Sequence, residues 1–435
     1  MKADMIVPWA PHPSAAPRTE RSADRFVIKA NGTRTCAGGW QLRYDLVPGK
    51  SYRIDVPVEI RDVAHVRESV RCLAIWGDIP PDRSDIGAQA DNDALFFHES
   101  RDGKHRFSRV LTASSGILVI RYIFRWSTRG EASFGMPMIT ETSALPERRI
   151  RIAVVTGSHE HRHAAKISSV ADNAAFYGDL CRKALDDKPD LIVLPEIVLQ
   201  WGVAGNRLDR AVPLDHGSVR GFQAIAASGD VRILLPFDER SGDAVFNSAV
   251  LIGPGGIEGV YHKVHLAEYG ETNSGITPGD SFPVFDTPKA RIGVNICMDS
   301  SAAESSRMLG LNGTEVMCLP IMGDHRADVF SRGTPAFNED RWKAIMRTRA
   351  LDNQFVVAVA RNEARGSVII DTMGDIVAWN DGSKDIISAD VIIDPVHRKW
   401  NGGRQRDIVY MQRRPQLYGA FTEQEPPVCR ALSGY

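Results

Sequence analysis

No uninterrupted apolar stretch reaches the ~18 residues that a membrane-crossing helix needs, and no block of lysines and arginines offers a polyanion-binding surface. The formal net charge is −1. Cysteine is scarce: six thiols in 435 residues, at 36, 72, 181, 297, 318 and 429, with no CxxC pair. That scatter excludes a disulfide framework and a cysteine zinc site, and points to a reducing, cytoplasmic setting with most thiols as small core residues. No GxxxxGK or GxGxxG supports a nucleotide site, the Gly/Pro clusters being turns. The first twenty residues, MKADMIVPWAPHPSAAPRTE, hold a lysine but lack the apolar centre of a secretion signal. Their Pro, Ala and polar content predicts a disordered or loosely docked arm over 1–24. Nucleic-acid and membrane partners are thereby excluded as expectations.

The chain is too long for one average domain, and its two parts differ in pattern. Residues 25–148 are predicted to be an all-β sandwich. WQLRYDLV alternates apolar and polar residues, PGK turns, SYRIDVPVEI alternates again, and RCLAIWGD, ALFFHES, HRFSRVLTA and ILVIRYIFRW follow with Gly, Asp and Ser between them. Residues 149–420 alternate strand and helix. IRIAVV, DLIVLPE, VRILLPF, RIGVNIC and TEVMCLPIM are apolar strands, whereas Val170, Ala174, Tyr177, Leu180, Cys181 and Leu185 fall at helical spacing. AVFNSAVLI–GPGG–IEGVYHK is a hairpin, and NEDRWKAIMRTRALDN is a helix capped by Asn338. The Arg-rich segment QRDIVYMQRRPQLYGAF is expected to be extended, reaching toward a partner subunit, and residues 421–435 form a C-terminal tail.

Three apolar strands in the second part end in chemically distinct groups: Glu196 in LIVLPE, Lys263 in VYHK and Cys297 in GVNIC. Ligands in α/β domains bind outside the carboxyl ends of strands, so the three are candidates for one pocket. A thiol attacks as its thiolate. Lys263 and the N–H groups of the helix expected after Cys297 would lower the thiol pKa. Glu196 would take the thiol proton and pass it to a leaving amine. Lys263 and the Met298 N–H would hold the oxyanion, each such donor contributing roughly 3–4 kcal/mol. Singly, each residue has an ordinary reading, the cysteine as core, the glutamate as a strand-end charge, the lysine as a solvated hairpin residue.

In their order the three resemble the nitrilase superfamily of carbon–nitrogen hydrolases, over about Arg149 to Tyr418. LIVLPE is similar to the acid motif, YHKVHL to the lysine motif, and ICMDSSAAESSR to the nucleophile motif with Asp299, Glu304 and Arg307. Asn247 in FNSAVLIGPGG stands where the family has an Asn-Ser strand. The resemblance implies a four-layer αββα sandwich, commonly dimerised, that opens a small-molecule amide or nitrile through a cysteine thioester or thioimidate, with Glu196, Lys263 and Cys297 as triad and without metal or cofactor. It also implies an auxiliary glutamate after the lysine, with Glu271 the better match in spacing and Glu268 its competitor. One departure is SSAAE after Cys-x-Asp, where many members have an aromatic residue and proline.

Alternatives on the same residues are nitrile hydrolysis, N-carbamoyl hydrolysis and acyl transfer. A different class is a carbohydrate-binding or scaffold protein with an inactive hydrolase domain. The front domain weakly resembles carbohydrate-binding jelly rolls, with Trp40, Trp76 and Trp126 as nominal sugar platforms or, alternatively, core. SHEHRHAAK, with His159, His161 and His163, has the look of a metal tract on a loop, but no fourth ligand or HExxH accompanies it.

Overall fold

In the strand Ser51–Arg61, Tyr52, Ile54, Val56 and Val58 are buried while Arg53 and Pro57 face outward, as the two-residue repeat of a pleated strand requires. The same alternation builds the whole first unit. The computed structural model describes residues 2–78, 91–100, 102, 104–268, 270–322, 337–394 and 403–423. The chain divides into two compact units, Met1–Pro146 with Val396–Tyr435, and Glu147–Pro395.

Two antiparallel sheets form the first unit. One has five strands, in spatial order Met5–Trp9, Ala37–Asp45, Ile117–Arg125, Val70–Trp76 and Asp91–Ala94; the other has seven, with Ser51–Arg61 near its centre. Phe26, Tyr44, Tyr122, Phe107 and Phe134 fill the space between them, Tyr122 stacking on Phe134 at 4.4 Å. The arm expected over 1–24 is instead part of these sheets. Met5–Trp9 pairs with Ala37–Asp45 and Arg18–Arg21 pairs with Arg25–Lys29. Both are edge strands, where the ladder tolerates a proline such as Pro8, and the Trp9 ring lies 4.0 Å from the Arg121 guanidinium. Trp40 and Trp76 belong to the core, which leaves Trp126 alone of the three tryptophans at the surface.

The C-terminal segment also departs from expectation. Gln405–Met411 is a helix rather than an extended arm, and the described residues 403–423 group with the first unit, not with a second domain running to 420. Arg109 donates to Asp407 at 2.5 Å and Arg404 to Asp93 at 3.1 Å. Seven residues are too few for a helical period to stand out among the arginines.

The second unit has four layers. One six-stranded sheet runs Gly256–His262, Ala244–Gly253, Arg232–Ser241, Leu191–Val193, Arg149–Val155, Ile386–Ile392; the other runs Val284–Asp286, Arg291–Val294, Val316–Ile321, Val356–Arg361, Val368–Ile370, Ile376–Trp379. Their facing side chains, including Ile152, Val193, Leu251, Ile292, Leu319 and Val357, make the central core. Helices Val170–Ala184 and Gly217–Gly229 cover the first sheet with Tyr177, Leu180 and Phe222. Ala303–Leu311 and Glu339–Asn353 contribute Leu309, Trp342 and Met346 beside the second. Capping fixes where the helices begin: Ser169 and Asp172 form a reciprocal box, and Asn338 accepts from the Arg341 N–H. This is the αββα sandwich, and the unit before it is an all-β sandwich.

Leu191–Val193 and Arg232–Ser241 are parallel, and two hairpin reversals return Gly256–His262 to the same direction. In the facing sheet Arg291–Val294 is parallel to Val316–Ile321. The segments that carry Glu196, Lys263 and Cys297 therefore leave their strands at strand C-termini.

Candidate active site

Glu196 follows its strand by three residues, through Leu194 and Pro195, and is buried. The next residue, Ile197, has φ +42°. A β-branched residue in that left-handed region is strained, and the bend turns the Glu196 side chain inward. Asn362 Nδ2 donates to the Glu196 carbonyl at 2.9 Å. The carboxylate accepts three hydrogen bonds: Asn247 Nδ2 and Lys263 Nζ on Oε1, both at 2.8 Å, and the Met322 N–H on Oε2 at 2.6 Å.

Lys263 is 1% exposed, and its ammonium also donates to Glu271 Oε2 at 2.7 Å. Glu271 is buried in the same cluster, whereas Glu268 is exposed. The Glu271 carboxylate takes four donors. Asn247 Nδ2 (2.6 Å) and Arg207 (3.2 Å) serve Oε1, and Lys263 and the Ala267 N–H (2.8 Å) serve Oε2. Four is about the capacity of an ionised carboxylate. Glu271 is thus saturated, while Glu196 keeps one acceptor site, on Oε2. The lysine charge holds the Glu271 carboxyl below its ordinary value, against a burial effect that would raise it.

Cys297 is buried, has φ +43°, and opens a single 3-10 turn, Cys297–Ser301. Its Sγ lies 4.0 Å from the Met322 carbonyl, and Glu196, Lys263 and Glu271 are near enough to act on its charge. Met298 is the second residue of that turn, where an N–H points out of the helix start. Asp299 knots the turn to the lysine segment: it accepts from Tyr261 Oη (2.7 Å), the His265 N–H (2.9 Å) and the Ile296 N–H (2.8 Å), and pairs with His265 Nδ1 (2.9 Å).

The thiol pKa moves opposite to the sequence expectation. Burial pushes it well up, Glu196 and Glu271 push the same way, and Lys263 opposes them. The regular helix begins only at Ala303, after the 3-10 turn that Cys297 opens. The Lys263 pKa is raised: burial disfavours its charge, but Glu196, Cys297 and Glu271 together overcome that. Behind it, Arg207 pairs with the buried Asp238 through two nitrogens. Three carboxylates thus meet two cations. Ionising the thiol to solvent would add a second uncompensated negative charge in a buried site, whereas moving its proton to Glu196 leaves the cluster charge unchanged.

Sequence reasoning missed Arg207, Asp238 and Asn362 as parts of this site, and gave no function to Asn247 or to Tyr261 and His265 of the YHKVHL motif. Arg207 opens a four-residue helix and Asp238 lies in a strand, with no motif around either; only the buried pairing reveals them. The histidine tract is not the expected loop. His159–Ala164 is a helix, because Ser158 accepts the His161 N–H at 3.2 Å, and His161 Nδ1 pairs with Asp385 at 3.0 Å. Among the described residues no three His, Cys, Asp or Glu side chains converge as a metal site. His159, Arg162, His163, Trp201 and Asn362 line a cavity of about 360 Å³ that Asn362 joins to Glu196. A larger cavity, about 560 Å³, lies in the first unit, lined by charged residues including Arg53, Asp55 and Arg106 with no Trp, Tyr or Phe. The sequence predicts that loops such as residues 323–337 supply pocket wall; residues 323–336 of that loop lie outside the described residues.

Residues 151–397 match the carbon–nitrogen hydrolase family model, and the chain belongs to that family: it is a carbon–nitrogen hydrolase. It is 28% identical to the omega-amidase NIT2 of Homo sapiens over 58% of this chain and 94% of that protein. It is 30% identical to the omega-amidase NIT2 of Xenopus tropicalis over 41% of this chain and 66% of that protein. Among solved structures, a carbon–nitrogen hydrolase from Helicobacter pylori G27 superposes with a TM-score of 0.52 at 21% identity, covering 64% of this chain and 99% of that one. An amidase from Nesterenkonia sp. does so with 0.50 at 16%, covering 64% and 99%. At these identities the two structures speak to the fold alone.

Proposed function

We propose that this protein hydrolyses the amide of a small molecule through a Cys297 thioester, with Glu196 as general base and acid, Lys263 and the Met298 N–H holding the oxyanion, and Glu271 fixing Lys263. One observation carries the reading: Lys263 is clamped between Glu196 and Glu271 at 2.8 and 2.7 Å, beside a buried thiol. The similarity to proteins named omega-amidase favours amides over nitriles and carbamoyl compounds.

Glu196 Oε2, with its remaining acceptor site, takes the S–H proton as sulfur bonds to the carbonyl carbon. Negative charge passes to the carbonyl oxygen, where Lys263 and Met298 receive it. Collapse breaks the C–N bond, and the proton on Glu196 leaves with the amine. Water then adds to the thioester, giving its proton to Glu196, and departure of the sulfur restores the thiol and frees the acid. The resting thiol is neutral, so attack and deprotonation are concerted in this scheme rather than starting from a preformed thiolate. In this reading the protein works as a homo-oligomer.

The test is ammonia release from a panel of small amides, carbamoyl compounds and nitriles, with Cys297→Ala alongside. Turnover on amides that vanishes in the variant, with an acyl adduct on Cys297 by intact mass, is the expected result. Turnover surviving in Cys297→Ala overturns the thioester route.

A further inference from the structure

The saturated state of Glu271 depends on a residue that no motif marks. Arg207 stands on a one-turn helix, Arg207–Arg210, outside all three motifs. Its side chain is only 11% exposed, against 0% for Asp238 and 4% for Glu271. Nε and one terminal nitrogen grip the two Asp238 oxygens, and the other terminal nitrogen reaches Glu271 Oε1 at 3.2 Å. Asp238 is itself fixed from behind, its N–H donating to Gln200 Oε1 at 3.0 Å. A planar guanidinium held at two points has little freedom at the third.

Resting on the Glu196–Lys263–Cys297 reading, we propose that Arg207 is a positioning residue that acts through Glu271. Anchored on Asp238, it keeps the Glu271 carboxylate ionised and stationary, so that Lys263 stays clamped between two carboxylates next to the thiol. Arg207 does not meet substrate. Without it, Lys263 would be the single cation facing Glu196 and Glu271, with Asp238 a third carboxylate behind them, and one of the acids would take up a proton. Glu271 is the one whose ionisation rests on two cations at once. The charged and titratable groups around Glu271 are Lys263, Arg207, Asp238, Glu196 and Cys297, with Arg210 acting on Asp238. Burial and Glu271 push the Asp238 carboxyl up and Arg207 pulls it down, so the pair must be removed together.

The experiment compares wild type, Arg207→Lys and the double variant Arg207→Met/Asp238→Leu, which removes both charges and leaves neither stranded; circular dichroism and thermal melting establish that each is folded. On the best amide, the double variant is expected to lose about tenfold or more in kcat with KM within about twofold, as a positioning defect does. The acid limb of its kcat/KM profile moves up by about one pH unit or more, because Glu271 then protonates at higher pH. Arg207→Lys falls between. Iodoacetamide alkylation of Cys297, which needs no substrate, should move the opposite way, becoming faster at acid pH as loss of the Glu271 charge lets Lys263 favour the thiolate. A folded double variant with wild-type kcat and an unmoved acid limb overturns the proposal, as does a rise in KM alone, which would put Arg207 against substrate. If the wild type turns over no amide, the functional reading fails; the alkylation profile still decides Arg207, an unchanged one refuting it.

Discussion

Replacing Asn247 by aspartate exchanges an amide N–H donor for an oxygen between Glu196 and Glu271. The native Nδ2 lies 2.8 Å from Glu196 Oε1 and 2.6 Å from Glu271 Oε1. The Asn247 side-chain oxygen, Oδ1, has no hydrogen-bond partner among the described residues, so the side chain serves here as a donor. An ionised carboxylate at about 3 Å from each neighbour would meet a repulsion of roughly 5 kcal/mol per contact at an effective dielectric near 20. Since one pKa unit is about 1.4 kcal/mol, the introduced group is held protonated through neutral pH and serves one glutamate while the other loses its donor. That loss alone costs about 1.5–3 kcal/mol. The sign with pH follows from linkage. Above the unfolded value near 3.9, the unfolded chain releases this proton and the folded one keeps it, so stability falls as pH rises, by up to about 1.4 kcal/mol per unit. Urea unfolding at pH 5 and pH 8 reads the effect: the gap to wild type should widen by several kcal/mol at the higher pH. In Asn247→Ala, which removes the donor without adding an acid, the gap should stay nearly constant. Equal gaps for the aspartate variant at both values would refute the reasoning.

Three further outcomes follow from single features. Ile197→Gly removes the strain of a β-branched residue at φ +42° but frees the hinge that aims Glu196, so kcat should fall while the melting temperature changes little; a kcat equal to wild type would count against the hinge. The His265 pKa is raised by its hydrogen bond to Asp299, so its contribution to stability is complete below the unfolded value near 6.5 and is lost as pH rises through the folded value. His265→Phe should accordingly flatten the melting temperature between about pH 6 and 8, as followed by calorimetry, and an unchanged slope would remove His265 from the account. Trp342 is 1% exposed and donates to the Gly366 carbonyl at 2.8 Å; Trp342→Ala should cost about 3–5 kcal/mol in denaturant unfolding, and a loss under 1 kcal/mol would mean the layer repacks.

What could be read in the sequence was what repeats locally or sits in a motif. The alternation around Ser51–Arg61, the helical spacing from Val170 to Leu185, and the Pro-Glu, Tyr-x-Lys and Cys-x-Asp signatures gave both sandwiches and the residues that converge. Boundaries of low contrast were not legible. Met5–Trp9 has too little alternation to announce an edge strand, and Gln405–Met411 too few residues to show a period. Burial outweighs the lowering that Lys263 exerts on the Cys297 thiol, and a sequence gives a neighbour's sign but not the depth at which charges meet. Motif spacing favoured Glu271 over Glu268, three residues away, and burial agrees: Glu271 is inside the cluster and Glu268 is exposed.

The knot at Asp299 has a mechanical consequence. Glu196, Asn247 and Lys263 belong to one sheet of the sandwich and Cys297 to the other, and Asp299 straps the second to the Tyr261–His265 segment of the first. The Cys297 thiol and the Glu196 carboxylate are therefore brought together across a seam between layers, not along a chain. A slip of one layer over the other by an ångström or two would leave most backbone hydrogen bonds within each sheet intact yet, on the proposed mechanism, part the thiol from its base. Turnover then becomes a gauge of interlayer registry, failing at lower denaturant than the far-ultraviolet signal of the strands themselves.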